Sequence, residues 1–140
     1  MSEKLDVVGI GNAMVDAIIP SNQSEIEKHE INRDSMNLID EGLKNNLHDS
    51  YSIREMAGGG SLGNSMFGIT SFGGNGSFIG KIKNDEIGIY LQKDMVREGL
   101  KFPLGFTSPD ISTGCCTIFV EEDGTRTVSY THLRAHETHT

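Results

Sequence analysis

The sequence predicts an α/β protein with two kinds of sheet, and three observations support this fold class. Strand-like and helix-like segments alternate between residues 51 and 105, which is typical of parallel βαβ units. Polar and apolar residues alternate in four other segments, which is typical of a second sheet with one exposed face; these are residues 13–20, 34–39, 51–57 and 113–128. The 17 glycines and 36% hydrophobic residues in 140 residues indicate at most one domain, rich in loops or incomplete.

The first half of the chain is predicted to be mostly strands. They are short apolar or alternating runs at residues 5–11, 13–20, 35–39 and 51–57. In the last run, Tyr51, Ile53 and Glu55 are expected on one face. A helical turn is expected at residues 24–29, and Asp40 is a predicted N-cap for a helix that continues to residue 47.

The glycine-containing segment 60–72 predicts a helix, because Leu62, Met66 and Ile69 form one apolar stripe. Gly63 and Gly68 inside it each cost about 1 kcal/mol relative to alanine. That cost predicts either tight packing against a sheet or a backbone close to a ligand.

The second half continues with a strand at residues 76–82 and a helix capped by Asn84 or Asp85. The apolar stripe of this helix is Ile87, Leu91 and Met95, and Gly99 is the expected residue after its end. A strand at residues 113–121 is followed by the turn dipeptide Asp123-Gly124, which predicts a hairpin with residues 125–128.

Charge and composition exclude several kinds of partner. The net charge of −8 argues against nucleic acid and anionic membranes. The start of the chain lacks the basic and apolar regions of a signal peptide, and no apolar run approaches the length of a membrane span. Cys115 and Cys116 are sequence neighbours, so we expect two reduced thiols in a cytoplasmic protein.

Two glycine-rich elements are the most informative motifs. One covers residues 9–16 and carries Asn12 and Asp16; the other covers residues 58–64 and carries Ser61 and Asn64. Each places flexible backbone next to side chains that hydrogen-bond hydroxyl groups. Together they predict a polyhydroxyl ligand such as a sugar or a nucleoside.

These elements resemble the PfkB (ribokinase-like) family of carbohydrate and nucleoside kinases. The matching pieces are GNxxxD, GGSxxN and FIGKIKNDEIG, in this order, over residues 5 to about 127. The resemblance implies an incomplete three-layer α/β/α sandwich with a small β-sheet lid, whose strands pair between two subunits in some members. Ser61 stands where sugar-specific members often carry lysine, which favours the adenosine-kinase-like branch.

The resemblance also implies roles for individual residues. Asp16 would accept hydrogen bonds from acceptor hydroxyls beside Asn12, with Gly59, Gly60 and Asn64 completing the substrate-binding set. No catalytic residue is assigned, because the family's base lies in a C-terminal GxGD motif and this chain has no Gly-Asp dipeptide. ATP and Mg²⁺ are implied for the intact family, whose nucleotide-binding region we expect to be missing here. The chain is therefore expected to be the substrate-side half of an ATP-dependent kinase, inactive alone.

An alternative hypothesis is a dinucleotide-binding domain. Gly58, Gly60 and Gly63 satisfy GxGxxG between a strand and a helix, and Asp85 follows at the distance of an acidic ribose ligand. The charged residues Arg54 and Glu55 argue against it, because the central strand of a parallel sheet is buried. A non-catalytic binding or regulatory domain, or a broken gene product, is a third hypothesis.

The C-terminal segment 128–140 is anomalous. It lacks a strand or helix period and carries His132, His136 and His139. This spacing is compatible with a metal site, but clustered histidines without apolar support are not held rigidly, so we predict no metal. The segment resembles translated vector sequence. We therefore divide the chain into a kinase part, residues 1–127, and a tail, residues 128–140, that is not native to the fold.

Overall fold

The computed structural model describes residues 4–29 and 31–131, and it divides them into two compact units. The first unit comprises residues 4–15 and Gly58–Gly114, and the second comprises Asp16–Ala57 and Cys115–Thr131. In chain order the elements are β1 (Val7–Ile10), β2 (Met14–Pro20), α1 (Gln23–Lys28), β3 (Met36–Leu38), α2 (Glu41–Ser50), β4 (Glu55–Gly59), α3 (Ser61–Ser71), β5 (Gly76–Ile79), α4 (Glu86–Arg97), β6 (Gly114–Val120) and β7 (Arg126–Thr131).

The first unit is built on the parallel pair β1–β5. Val7 lies opposite Gly76 and Ile10 opposite Ile79 in this register. Met66 of the predicted α3 stripe and Phe78 of β5 are buried, whereas the other two stripe residues, Leu62 and Ile69, are half-buried. Lys101 extends the pairing on the outer side of β5, where the Phe78 N–H donates to its carbonyl oxygen at 2.8 Å.

Helix α4 forms as the sequence predicts. Asp85 is its N-cap, with the carboxylate accepting a hydrogen bond from the Gly88 N–H at 2.8 Å. The three stripe residues Ile87, Leu91 and Met95 are buried. Gly99 follows the helix with φ +86°, the left-handed conformation that favours glycine.

The glycines around α3 have roles that differ from the prediction. A Cβ atom on Gly11 would lie 2.5 Å from Leu62 Cδ2, and one on Gly9 would lie 2.9 Å from Met66 Sδ. These two glycines, one in β1 and one directly after it, therefore let α3 pack closely. Of the two alternatives expected for Gly63 and Gly68, tight packing is wrong, because a Cβ at either position would meet no atom within 4 Å; a backbone close to a ligand stays a prediction.

The second unit carries a five-stranded sheet of order β3-β7-β6-β2-β4. All the segments with alternating polarity contribute to it, which confirms the predicted second sheet. β6 and β7 form the expected antiparallel hairpin around Gly124. A hydrophobic cluster fills one side of this unit and consists of Ile19, Ile26, Ile31, Leu47 and Phe119.

The predicted strand at residues 51–57 is displaced: β4 begins only at Glu55 and ends at Gly59. Tyr51 instead caps α2, and its N–H donates to the Leu47 carbonyl oxygen at 3.1 Å. Tyr51 and Ile53 alternate with polar residues because they pack against the hydrophobic cluster. β4 is not the parallel partner of β5. That partner is β1, and β4 belongs to the five-stranded sheet.

Strand β7 runs through Thr131, past the boundary that we drew at residue 127. Its residues alternate between buried and less buried, so residues 128–131 have the strand period that the sequence did not reveal. Residues 132–140 lie outside the described part of the chain, and their foreign origin stays a prediction. Within the described ranges, none of the helices combines the length and apolarity that crossing a membrane requires.

Candidate functional site

The start of α3 is the first part of the candidate site. Gly59 is the buried last residue of β4, and Gly60 is the N-cap of the helix with φ 81° and ψ 154°. This conformation is essentially restricted to glycine. Gly60 offers no side-chain hydrogen bond to the first turn, so the N–H groups at this positive end of the helix dipole suit a polar ligand.

Two asparagine residues lie near this turn in the first unit. Asn64 is exposed, and its N–H donates to the Gly60 carbonyl oxygen at 2.9 Å, which places it on the first turn of α3. Asn12 is exposed just after β1. Its backbone carbonyl oxygen is 3.6 Å from the position of a Cβ on Gly60. The first unit therefore brings Asn12 and the predicted Gly59–Gly60 turn close together.

Asp16, the remaining predicted residue, belongs to the second unit. It is half-buried on β2, next to β6 in the sheet order. Burial raises the pKa of the Asp16 carboxyl, and a hydrogen bond from the Cys116 thiol opposes this by lowering it. Asp16 is thus a partly desolvated carboxylate on the less buried face of the sheet, where its hydrogen bonds are strengthened.

The role of Cys116 is the feature that sequence reasoning missed. Burial, followed by the charge of Asp16, raises the pKa of this thiol to about 12. The sequence gives no direct sign of the contact, since it depends on β6 lying beside β2. Cys115 and Cys116 are both free cysteines in the structure.

A separate cleft of about 890 Å³ lies at the hairpin end of the second unit, and none of the five predicted site residues lines it. Its lining includes Arg54, Glu121 and Asp123. The Glu121 carboxylate is engaged by Arg33, whose Nε and Nη2 donate to it at 2.8 and 3.0 Å. Because the Glu121 carboxylate is already paired with Arg33, the glycine-rich elements at residues 9–16 and 58–64 remain the better candidate for a binding site.

Two observations weigh against the dinucleotide hypothesis. The Asp85 carboxylate accepts hydrogen bonds from the Gly88 N–H, the Thr113 N–H and the Thr113 hydroxyl, at 2.8 to 3.0 Å. It therefore serves as a structural cap instead of facing a ribose. The open space at Gly63 also lacks the close helix–strand packing that demands the third glycine of that fingerprint.

Among residues 4–29 and 31–131, no group of three histidine, cysteine or acidic side chains is placed to hold a metal ion. The tail histidines His132, His136 and His139 lie outside these ranges. The hypothesis of a histidine metal site in the tail therefore stays untested.

Solved structures identify the class of fold. No protein-family model matches the sequence, and no curated protein does either. The chain is similar to the adenosine kinase from Sinorhizobium meliloti, with 34% identity and a TM-score of 0.76 over 95% of this chain and 40% of that one. A probable sugar kinase from Rhizobium etli CFN 42 matches with 30% identity and a TM-score of 0.76, over 94% and 39% of the two chains.

The adenosine kinase from Schistosoma mansoni, solved in complex with adenosine, matches at 20% identity with a TM-score of 0.74, over 94% of this chain and 40% of that one, and supports the fold alone. The chain thus spans about two fifths of the length of the structures it matches. It has the ribokinase-like α/β fold, and its predicted resemblance to the PfkB kinases is confirmed. Within that class, its structural neighbours are adenosine kinases and a sugar kinase.

Proposed function

We propose that this chain is the acceptor-binding part of an ATP-dependent kinase that phosphorylates a hydroxyl group of a sugar or a nucleoside. The observation that carries the proposal is the ribokinase-like fold, with identities of 34% and 30% to an adenosine kinase and a probable sugar kinase. Adenosine is the first acceptor to test, because the neighbour with the higher of these identities is an adenosine kinase.

The proposed binding residues have complementary chemistry. Asp16 offers a carboxylate that accepts hydrogen bonds from two adjacent hydroxyls, and these bonds are stronger than neutral ones. Asn64 and Asn12 each offer a donor and an acceptor. Gly59 and Gly60 allow the backbone N–H groups to approach the ligand without an intervening Cβ. We assign acceptor binding to these residues, and phosphoryl transfer to none of them.

Phosphoryl transfer depends mainly on positioning and on charge stabilisation around ATP and its metal ion. We assign none of the described residues to that role: no cluster of three metal-ligating side chains lies among them, and the chain has no Gly-Asp dipeptide. We therefore propose that this chain binds an acceptor without phosphorylating it.

The homodimer that the resemblance suggests stays a proposal with a specific surface. β3 is an edge strand of the five-stranded sheet, and Met36 and Leu38 on it are 68% and 63% exposed. An exposed apolar edge strand favours pairing with another chain. If this edge pairs, Leu38→Lys should shift sedimentation from dimer to monomer, whereas the substitution should have no effect on a monomeric chain.

The test of acceptor binding is a calorimetric titration of the chain with adenosine. Asp16→Asn keeps the shape of the side chain and removes its charge. Each charge-assisted hydrogen bond is worth roughly 1.5–3 kcal/mol, so we expect adenosine binding to weaken about tenfold or more. The matched control is Asp49→Asn, an exposed position on α2. Equal affinities of the wild type and Asp16→Asn would contradict the proposed role of Asp16.

A further inference from the structure

Asp16 and Cys116 form a side-chain pair on one face of the five-stranded sheet. β2 and β6 are neighbours in the sheet order. Along both strands buried residues alternate with less buried ones, and Asp16 and Cys116 both belong to the less buried set. The two side chains are close enough for each to shift the pKa of the other, and a thiol–carboxylate hydrogen bond is among the causes of both shifts.

The adjacent thiol has a different environment. Cys115 is fully buried on the opposite face of β6. Its Sγ lies 4.0 Å from His48 Nε2, and that nitrogen is 2.8 Å from the Thr117 hydroxyl. Cys115 therefore belongs to the packing under α2, and it provides a matched control for Cys116.

The direction of the hydrogen bond follows from the protonation states. The pKa of Cys116 is raised to about 12. The causes, the largest first, are burial, the charge of Asp16, the charge of Cys115 and the hydrogen bond to Asp16. A thiol with so high a pKa is protonated at neutral pH. The S–H group consequently donates, and a carboxylate oxygen of Asp16 accepts.

We propose that Cys116 is a positioning residue for Asp16: its thiol donates to one carboxylate oxygen, fixes the side chain, and leaves the other oxygen directed to the acceptor. This inference rests on the proposed function. It extends that function by assigning the orientation of the binding carboxylate to a thiol on the neighbouring strand.

The first experiment needs no ligand. The carboxyl carbon of Asp16 is titrated by NMR in the 140-residue chain and in three variants. Cys116→Val removes the donor, so the pKa of Asp16 should rise further, whereas Cys116→Ser keeps a donor and should prevent that rise. Cys115→Val should leave the pKa of Asp16 unchanged. A merely structural role of Cys116 would not distinguish the serine variant from the valine variant in this way.

The reciprocal experiment follows the thiol, in a Cys115→Ala background with one remaining cysteine. Asp16→Asn removes the charge that raises the pKa of Cys116, so alkylation by iodoacetamide should become faster. Because a less basic thiolate is also less nucleophilic, we expect about a threefold gain for each unit by which this pKa falls. Unchanged alkylation, together with an unchanged pKa of Asp16 in Cys116→Val, would overturn the pairing. The alkylation experiment can still be carried out if Cys116→Val does not fold.

The second experiment is an adenosine titration of the same variants. Cys116→Val should bind about tenfold more weakly, the loss of roughly one hydrogen bond to a charged group, and Cys116→Ser should restore binding. If the wild type binds adenosine and Cys116→Val binds it equally well, the positioning role is wrong while the proposed function stands. If neither adenosine nor ribose binds the wild type, the proposed function is wrong. The positioning role is then wrong as well, even if Asp16 and Cys116 shift each other's pKa in the absence of ligand.

Discussion

Replacing Gly60 by alanine should destabilise the chain through its backbone conformation alone. Gly60 has φ 81° and ψ 154°, and a residue with a Cβ pays about 1–3 kcal/mol in such a sparsely populated region. Steric overlap adds little, because the nearest atoms to a new Cβ, the Asn12 carbonyl oxygen and Met14 Cβ, would be 3.6 Å away. The free energy of unfolding should therefore fall by about 1–3 kcal/mol.

Gly63→Ala is the matched control in the same segment, with the opposite expected sign. Gly63 is helical, and a Cβ there would meet no atom within 4 Å. Alanine in a helix gains about 0.4–1 kcal/mol over glycine through helix propensity and the lower entropy of the unfolded chain. Urea unfolding followed by circular dichroism measures both variants. A neutral Gly60→Ala, or a Gly63→Ala as destabilised as Gly60→Ala, would refute this account of the two glycines.

Three further predictions concern the isolated chain. It should show no ATP turnover dependent on adenosine or ribose, because no residue in it is assigned as the base; turnover by the purified chain would contradict this. The chain should also self-associate as its concentration rises, because Val8 and Ile10 are 49% and 66% exposed on a parallel pair whose strands are normally covered on both faces. Val8→Thr with Ile10→Thr should lower light scattering, and unchanged scattering would count against this cause. Finally, the Tyr51 hydroxyl donates to Glu25 at 2.6 Å, and this bond, with burial and the charge of Glu25, raises the pKa of Tyr51 to about 12. The raised pKa stabilises the folded state below pH 10, and this contribution is lost as the pH rises from about 10 to about 12. Tyr51→Phe should therefore abolish that part of the loss of stability at alkaline pH. Urea unfolding at a series of pH values measures the effect.

Local signals in the sequence were sufficient for most elements. Asp85 predicts a cap because a carboxylate after a strand satisfies the first N–H groups of a helix, and the structure places it there. Ile87, Leu91 and Met95 recur with the period of a helix, and all three are buried on one face of it. Gly99 marks the end of that helix. These features depend on neighbours within a few residues, which is why the sequence reveals them.

Features that depend on distant partners could not be predicted in the same way. Tyr51 and Ile53 alternate with polar residues, and the pattern alone does not distinguish a strand from a loop that packs against a cluster. The close approach of α3 to Gly9 and Gly11 depends on which helix covers β1. The contact between Asp16 and Cys116 requires the order of strands in the sheet.

The central claim, that this chain binds a nucleoside or sugar through its glycine-rich elements, is tested most directly by mapping adenosine binding on the ¹⁵N-labelled chain by NMR. We expect chemical-shift changes at Asn12, Asp16, Gly60 and Asn64 with adenosine, smaller ones at the same positions with ribose, and none with NAD. Chemical-shift changes at Gly58–Gly63 on adding NAD, together with no change at Asp16 on adding adenosine, would contradict the claim and favour dinucleotide binding.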